Sequence, residues 1–390
     1  MGTSVSLKKK VYLCYSYSNS MYINSLCEKI NKEGFQTITD GTEHIPAICE
    51  PYGKKVLIIG GEQARKAAEE KIREAISSSS LTIIGSILYG KDCTYQAVEE
   101  LRKQKLYQEA DMVFAVGGGK ALDTCKCLCI EEEKPIFTFP TIASNCAACT
   151  SVSIMYHEDG TFLKPHFFLH PPKHAFISTE VMAHAPERYL WAGIGDTYAK
   201  YYEAKISSRG EQLEHFTALG VAVSQMCLDP LLQYGKEAYE DNKKGICSYE
   251  LEQVVLAIVV TTAIASILLT RDFTPDYNSG LAHAVFYALT AYPVIEEKHL
   301  HGEVVGFGVL IALLYDGQME EFEKIYQLNC KLGLPVSLQD IDITPEKFIP
   351  VMEQIPHMSD VRHYPYPITE ENMNEVMEYL ENRSMQQDSH

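Results

Sequence analysis

Short, unbroken apolar runs punctuate residues 50–182: KVLIIGG (55–61), LTIIGSI (81–87), MVFAVGGG (112–119), IFTFPT (136–141) and HAFISTEV (174–181). Stretches with helical spacing separate them, among them GEQARKAAEEKIREAISSSS, which reads as a helix closing in a polar loop. Runs lacking polar alternation suit strands buried on both faces, and their alternation with helices predicts βαβ units feeding a parallel sheet. After Ala185 and Pro186 the pattern changes. PERYLWAGIGDTYAKYYEAKI, SYELEQVVLAIVVTTAIASILL, GLAHAVFYALTAY, GEVVGFGVLIALLYDGQ and EEFEKIYQLNCKLG carry helical periodicity without a strand signal. The chain is expected to divide into an α/β domain, residues 1–182, and an all-α domain, residues 183–390. The closing ENRSMQQDSH reads as a frayed tail.

Charge narrows the possible partners. Thirty-four Lys and Arg stand against 52 Asp and Glu, a formal charge of −18 over 390 residues, which speaks against nucleic acid or an acidic membrane surface as a partner. The N-terminal MGTSVSLKKKVYLCYSYS has no apolar core of a leader, and no run of about 18 apolar residues stands out, so a cytoplasmic protein is expected. Three of the 12 cysteines, Cys125, Cys127 and Cys129, fall on one helical stretch where pairing among them is geometrically poor. They read as thiols in a reducing compartment.

Two places carry candidate chemistry. In MVFAVGGGKALDTCK a strand ends in Gly117, Gly118 and Gly119 and runs straight into a helix, so backbone N–H groups and the helix N-terminus can receive a pyrophosphate. The spacing matches neither GxGxxG nor the phosphate loop of nucleotide triphosphatases, and a glycine-rich turn that binds nothing fits it as well. Lys120 and Asp123, one helical turn apart, could be a surface ion pair. The second place is a set of three: Asp196 in GIGDTYAKYYEA, His283 in SGLAHAVF and His301 in HLHGEVVGF. Carboxylate and imidazole suit zinc or ferrous iron, and three protein ligands leave a position open for a substrate oxygen. Each also has a plain structural reading: His283 as a satisfied core histidine, His301 as a cap on the helix from Gly302, and Asp196 as the cap of its own helix.

Taken together, AVGGGKALDTCK, FPTIASNCAACTSVSIMY, APERYLWAGIGDTYAKYYEA, AHAVFYALTAYP and HLHGEVVGFGVL resemble the iron-containing or polyol alcohol dehydrogenases, in the right order over residues 50 to 375. The nearest branch is similar to the glycerol dehydrogenases and their hydroxycarboxylate-dehydrogenase relatives. The resemblance implies a Rossmann-like dinucleotide-binding domain, a helical metal- and substrate-binding domain, and hydride transfer between NAD(P)(H) and a small polyol, alcohol or 2-hydroxy or 2-oxo acid. It implies Gly117, Gly118, Gly119, Lys120 and Asp123 against the dinucleotide. Thr141 and Ser144 would stand beside the cofactor, with Thr150, Val152 and Tyr156 near it. Asp196, His283 and His301 would be the metal ligands, Asp196 also starting its helix.

Departures from the family refine the expectation. Four-ligand members have a histidine four residues after the aspartate; here that place is Lys200, which sides with the three-ligand branch and with zinc, iron second. The aspartate of the glycerol enzymes' STDAP stretch is Cys146 here, as in the CAA run of hydroxycarboxylate relatives, and losing an acid there lessens repulsion of a carboxylate substrate. Gly61 stands where NAD-preferring relatives have Asp, so NADPH becomes admissible, although Glu62 is next to it. Phe286 replaces a histidine found in glycerol-type members. Cys146 to Cys149 also has CxxC spacing, for which a pocket-lining role is the blander account. Two other readings remain open, glycerol dehydrogenase proper and a lyase like the dehydroquinate synthases. The lyase would want several cations near the histidines, where Arg271 and Lys298 are the nearest. A small-molecule substrate and a homo-oligomer are expected.

Overall fold

The computed structural model describes residues 10–12, 36–38, 42–270 and 276–387; Arg271 lies outside them. Five parallel strands form the sheet: β1 (Lys55–Gly60), β2 (Thr82–Leu88), β3 (Met112–Gly117), β4 (Ile136–Pro140) and, beyond a separate antiparallel hairpin of β5 (Val152–Tyr156) and β6 (Phe162–Phe167), β7 (His174–Ala175). Their order is β2-β1-β3-β4-β7. Ile59 pairs with Ala115, and Ala115 with Thr138, so successive strands are in register at their carboxyl ends.

Alternating side chains explain why the sheet is apolar on both faces. Val56, Ile58, Phe114, Val116, Phe137 and Phe139 pack with Ala68, Ile72 and Ile76 of α1 (Glu62–Ile76). Leu57, Ile59, Val113 and Ala115 face the other way, into the large core that includes Leu122 and Leu128 of α2 (Gly119–Cys129). Each fully buried aliphatic or aromatic side chain contributes about 1.5–3 kcal/mol, so neither face tolerates a register slip of one residue.

HAFISTEV forms only a two-residue strand. Ser178 accepts the Val181 N–H at 3.3 Å and caps a short helix, Thr179–Ala183, which ends the extended backbone early. Every described element beyond it is helical, including α3 (Glu187–Ser207), α4 (Tyr249–Leu269), α5 (Leu281–Leu289), α6 (His301–Tyr315) and α7 (Glu370–Gln387). Pro186 precedes α3, so Asp196 lies in the helix interior and does not start it. The described part of the expected frayed tail, residues 381–387, continues α7, with Arg383 paired to Glu323 at 3.0 Å. Helix α4 is 21 residues long with a hydropathy of 2.1, enough to cross a membrane by length and composition, contrary to the expectation of no such run. It lies largely inside the protein, and its middle turn, Ala257–Thr261, is a π segment.

Candidate active site

The carboxyl ends of β1 and β3 sit where the strand order reverses, the place where open parallel sheets leave a crevice. A cleft of about 1490 Å³ opens there and runs on to the helices. The candidate cofactor, substrate and metal residues all line it: Gly61, Gly117, Gly118, Gly119, Lys120, Asp123, Thr141, Ser144, Cys146, Thr150, Val152, Tyr156, Asp196, His283 and His301.

On the sheet side the chain comes close to itself. A Cβ on Gly118 would lie 2.5 Å from Ile142 Cδ1, and one on Gly119 would lie 2.7 Å from Asn145 Nδ2, so the turn packs tightly against the 141–145 loop and a side chain there would displace the tips of Ile142 and Asn145. The charged neighbours are already engaged. Lys120 Nζ donates to Asp92 and stands 4.6 Å from the centre of the Tyr156 ring. Asp123 accepts the Ile154 N–H at 3.0 Å and pairs with Lys126 Nζ at 2.9 Å, which ties α2 to the β5–β6 hairpin. Lys126 is fully buried and also donates to Thr150 Oγ1 and the Val152 carbonyl. Gly61 is the N-cap of α1, and Glu62 beside it holds Lys66 at 2.7 Å.

On the helix side α3 and α6 touch backbone to backbone. A Cβ on Gly195 would fall 2.2 Å from the Gly302 carbonyl oxygen, and one on Gly302 would fall 2.0 Å from the Ala192 oxygen. That approach brings His301, the first residue of α6, over Asp196. Helix α5 brings His283 from a third direction. One donor atom each from Asp196, His283 and His301 lies within 4.8 Å of the others. Asp196 Oδ1 is 3.3 Å from His301 Nε2 and 3.6 Å from His283 Nε2. Those separations are long for hydrogen bonds but close to the edge of a tetrahedron with metal bonds of about 2.0–2.1 Å, roughly 3.3 Å. The donor set and its spacing fit a divalent cation.

Glu203 completes this group. It is fully buried, its Oε1 accepts the backbone N–H groups of Gly280 and His283, both at 2.9 Å, and its Oε2 accepts from His283 Nδ1 at 2.7 Å. A carboxylate only accepts, so Nδ1 carries the hydrogen and Nε2 is left to face Asp196. Burial alone would push the His283 imidazole down, but the Glu203 charge, the nearby Asp196 carboxylate and the hydrogen bond to Glu203 lift it to about 9. Burial would raise the Asp196 carboxyl, yet the two imidazoles hold it well below the usual carboxylate range. A cation entering this site displaces a proton from His283.

Sequence reasoning did not find Glu203. Asp196, Lys200 and Glu203 are spaced i, i+4, i+7, one polar stripe on a mostly buried helix, and that spacing was the available signal. Phe286 lies edge-on to the His301 ring, centroids 4.3 Å apart, and fixes its tilt by packing.

Comparisons with known proteins identify the family. The family model for iron-containing alcohol dehydrogenases matches residues 37–177. A glycerol dehydrogenase from Thermotoga maritima is 31% identical over 312 residues, 76% of this chain and 81% of that protein. Hydroxycarboxylate dehydrogenase A from Escherichia coli is 29% identical over 328 residues, 83% of this chain and 88% of that one. The crystal structure of a probable glycerol dehydrogenase from Sinorhizobium meliloti superposes with a TM-score of 0.75 at 26% identity, over 88% of this chain and 95% of that one. Sequence and fold together show that the chain belongs to the iron-containing alcohol dehydrogenase family, metal-binding, nicotinamide-linked oxidoreductases that act on CH–OH groups.

Proposed function

We propose that the chain is a metal-dependent NAD(P)-linked dehydrogenase or reductase in which Asp196, His283 and His301 hold the metal, zinc first and iron second. The observation that carries the proposal is the convergence of those three donor atoms within 4.8 Å in the same cleft as the Gly117–Gly119 turn. When bound, the cation supplies Lewis-acid polarisation of the substrate oxygen, and the nicotinamide supplies or accepts the hydride. The protein does the rest. Backbone N–H groups at Gly118 and Gly119 cradle the pyrophosphate, with Thr141 and Ser144 on the facing loop and Thr150, Val152 and Tyr156 along the hairpin. Glu203 keeps the Nε2 lone pair of His283 directed inward. Tyr287, Phe162 and Phe286 give the cleft an apolar wall against bulk water beside the histidines. At the far end, Gly61 leaves room for the 2′-phosphate of NADPH, since no acid occupies that place.

The test monitors reduced-nicotinamide absorbance for NADPH and NADH with a panel of hydroxyketones, aldehydes and 2-oxo acids, alongside metal analysis. The expected result is turnover abolished by His283→Ala and a metal content of about one ion per chain that Asp196→Ala removes. Phosphate release from a phosphorylated sugar acid without net nicotinamide oxidation would replace the dehydrogenase with a lyase.

A further inference from the structure

Lys200 is a buried lysine whose charge no carboxylate neutralises at close range. It lies one turn after Asp196 on α3, is 5% exposed and lines the cleft. Its Nζ donates to the Asn278 carbonyl, and among the described residues no carboxylate oxygen comes within 4.0 Å of it. Glu203, one turn further on, has both oxygens occupied by His283 and Gly280. A buried ammonium without a paired anion is costly, and such groups persist where a ligand supplies the missing charge.

A second observation lies next to it. Asn278 Oδ1 is buried with no hydrogen-bond partner, and Asn278 too lines the cleft. Amide oxygen and nitrogen exchange places by a flip, so the same side chain can offer its NH2 to an anion. Cys146 supplies no charge, since burial pushes its thiol up to about 12. With a divalent cation on Asp196, His283 and His301, two carboxylates, Asp196 and Glu203, face three positive charges. One negative charge is missing.

We propose that Lys200 and the Asn278 side chain form an anion subsite that anchors the carboxylate of a 2-oxo or 2-hydroxy acid beside the metal ligands. The inference rests on the proposed dehydrogenase reading and gives it a substrate class. Side chains at i and i+4 of a helix share a face, about 5–6 Å apart at Cβ, and Lys200 and Asp196 both line the same cleft. In this reading the place of Lys200 on α3 is given to substrate recognition.

The experiment compares wild type with Lys200→Met and Lys200→Gln in the metal-loaded protein. Steady-state kinetics are run with 2-oxobutanoate and with dihydroxyacetone, and oxalate binding is measured by calorimetry without turnover. Gln keeps a donor for the Asn278 carbonyl and so preserves the fold if Met does not. Both variants are expected to raise KM for the acid and weaken oxalate by about thirtyfold or more, as truncating one partner of a buried charge pair does, with KM for dihydroxyacetone and metal content unchanged. Equal losses for acid and hydroxyketone would make Lys200 a brace for Asn278 and overturn the inference. So would a wild-type protein that reduces dihydroxyacetone but neither reduces the acid nor binds oxalate. A wild type that turns over no carbonyl and binds no oxalate, despite bound metal, would take the dehydrogenase reading down with it.

Discussion

Replacing Glu203 by Gln isolates what a single buried carboxylate does for the metal site. Three donors converge on its two oxygens: the N–H groups of Gly280 and His283 at 2.9 Å and His283 Nδ1 at 2.7 Å. An amide of the same size has one acceptor oxygen. If that oxygen serves the two backbone groups, the amide NH2 faces Nδ1, which must surrender its hydrogen to Nε2 and so block the metal-binding nitrogen. If it serves Nδ1, the NH2 confronts two backbone N–H groups, each costing about 1–3 kcal/mol when buried and unpaired. The first arrangement is the cheaper for the fold and the worse for the metal. We therefore expect metal affinity to fall about 10–100-fold, the usual penalty for losing the outer partner of a ligand histidine, or about 1.4–2.7 kcal/mol. Chelator competition gives the dissociation constant, and thermal unfolding of the metal-free protein separates damage to the fold. Wild-type metal affinity in Glu203→Gln would refute the tautomer argument outright.

Three further substitutions test the scaffold. Gly302→Ala places a Cβ 2.0 Å from the Ala192 oxygen where ordinary contact begins at 3.4 Å, so α3 and α6 must part to accommodate a 1.4 Å shortfall. Overpacking of that kind costs about 1–3 kcal/mol and a displacement near 1 Å about a hundredfold in rate, measurable as lowered Tm together with lost metal. Lys126→Met leaves Asp123 buried without its cation and should cost about 3 kcal/mol in denaturant unfolding, the low end of the range for a broken buried pair, because burial already lifts the Asp123 carboxyl; the double variant with Asp123→Asn should recover part of it. Asp316 is held below the ordinary carboxylate range: burial opposes this, but Arg209, Tyr366 and Gln318 outweigh it. A depressed value means its contribution is full above about pH 4 and is lost as pH falls through the folded value, so Asp316→Asn should cost about 1–2 kcal/mol near neutrality, discounted for the half-exposed Arg209, and close on wild type in acid.

The sheet was legible because its central strands, β1, β3 and β4, are buried on both faces, and unbroken runs such as VLIIG and VFAVG have few other uses. HAFISTEV deceived because its apolar residues continue into a helix: Phe176 stays in the core while Ser178 caps the turn of helix from Thr179. The hairpin β5–β6 carried no comparable signal: β5 is buried only on alternate residues, β6 is partly exposed along its length, and a turn at Gly160 joins them. Asp196, read as the cap of its own helix, showed the limit of reading glycines locally. Gly193 and Gly195 just before it sit mid-helix because another backbone lies against each, Ala143 at the first and Gly302 at the second. A glycine that permits close approach and one that permits a turn look the same in one sequence.

That distinction bears on how the cleft divides its work. On the sheet side the conspicuous charges are consumed by structure, Lys120 on Asp92 and Asp123 on Lys126, so on the proposed reading recognition of the dinucleotide falls to the backbone N–H groups of the glycine turn. On the helix side the task of Gly195 and Gly302 is to let α3 and α6 approach until Asp196 meets His301. The same residue type thus forms a binding surface in one half and sets a spacing in the other. Side-chain chemistry is left to the single stripe Asp196, Lys200 and Glu203, in which the first would hold the cation, the last orients its ligand, and the middle one carries the charge that neither consumes.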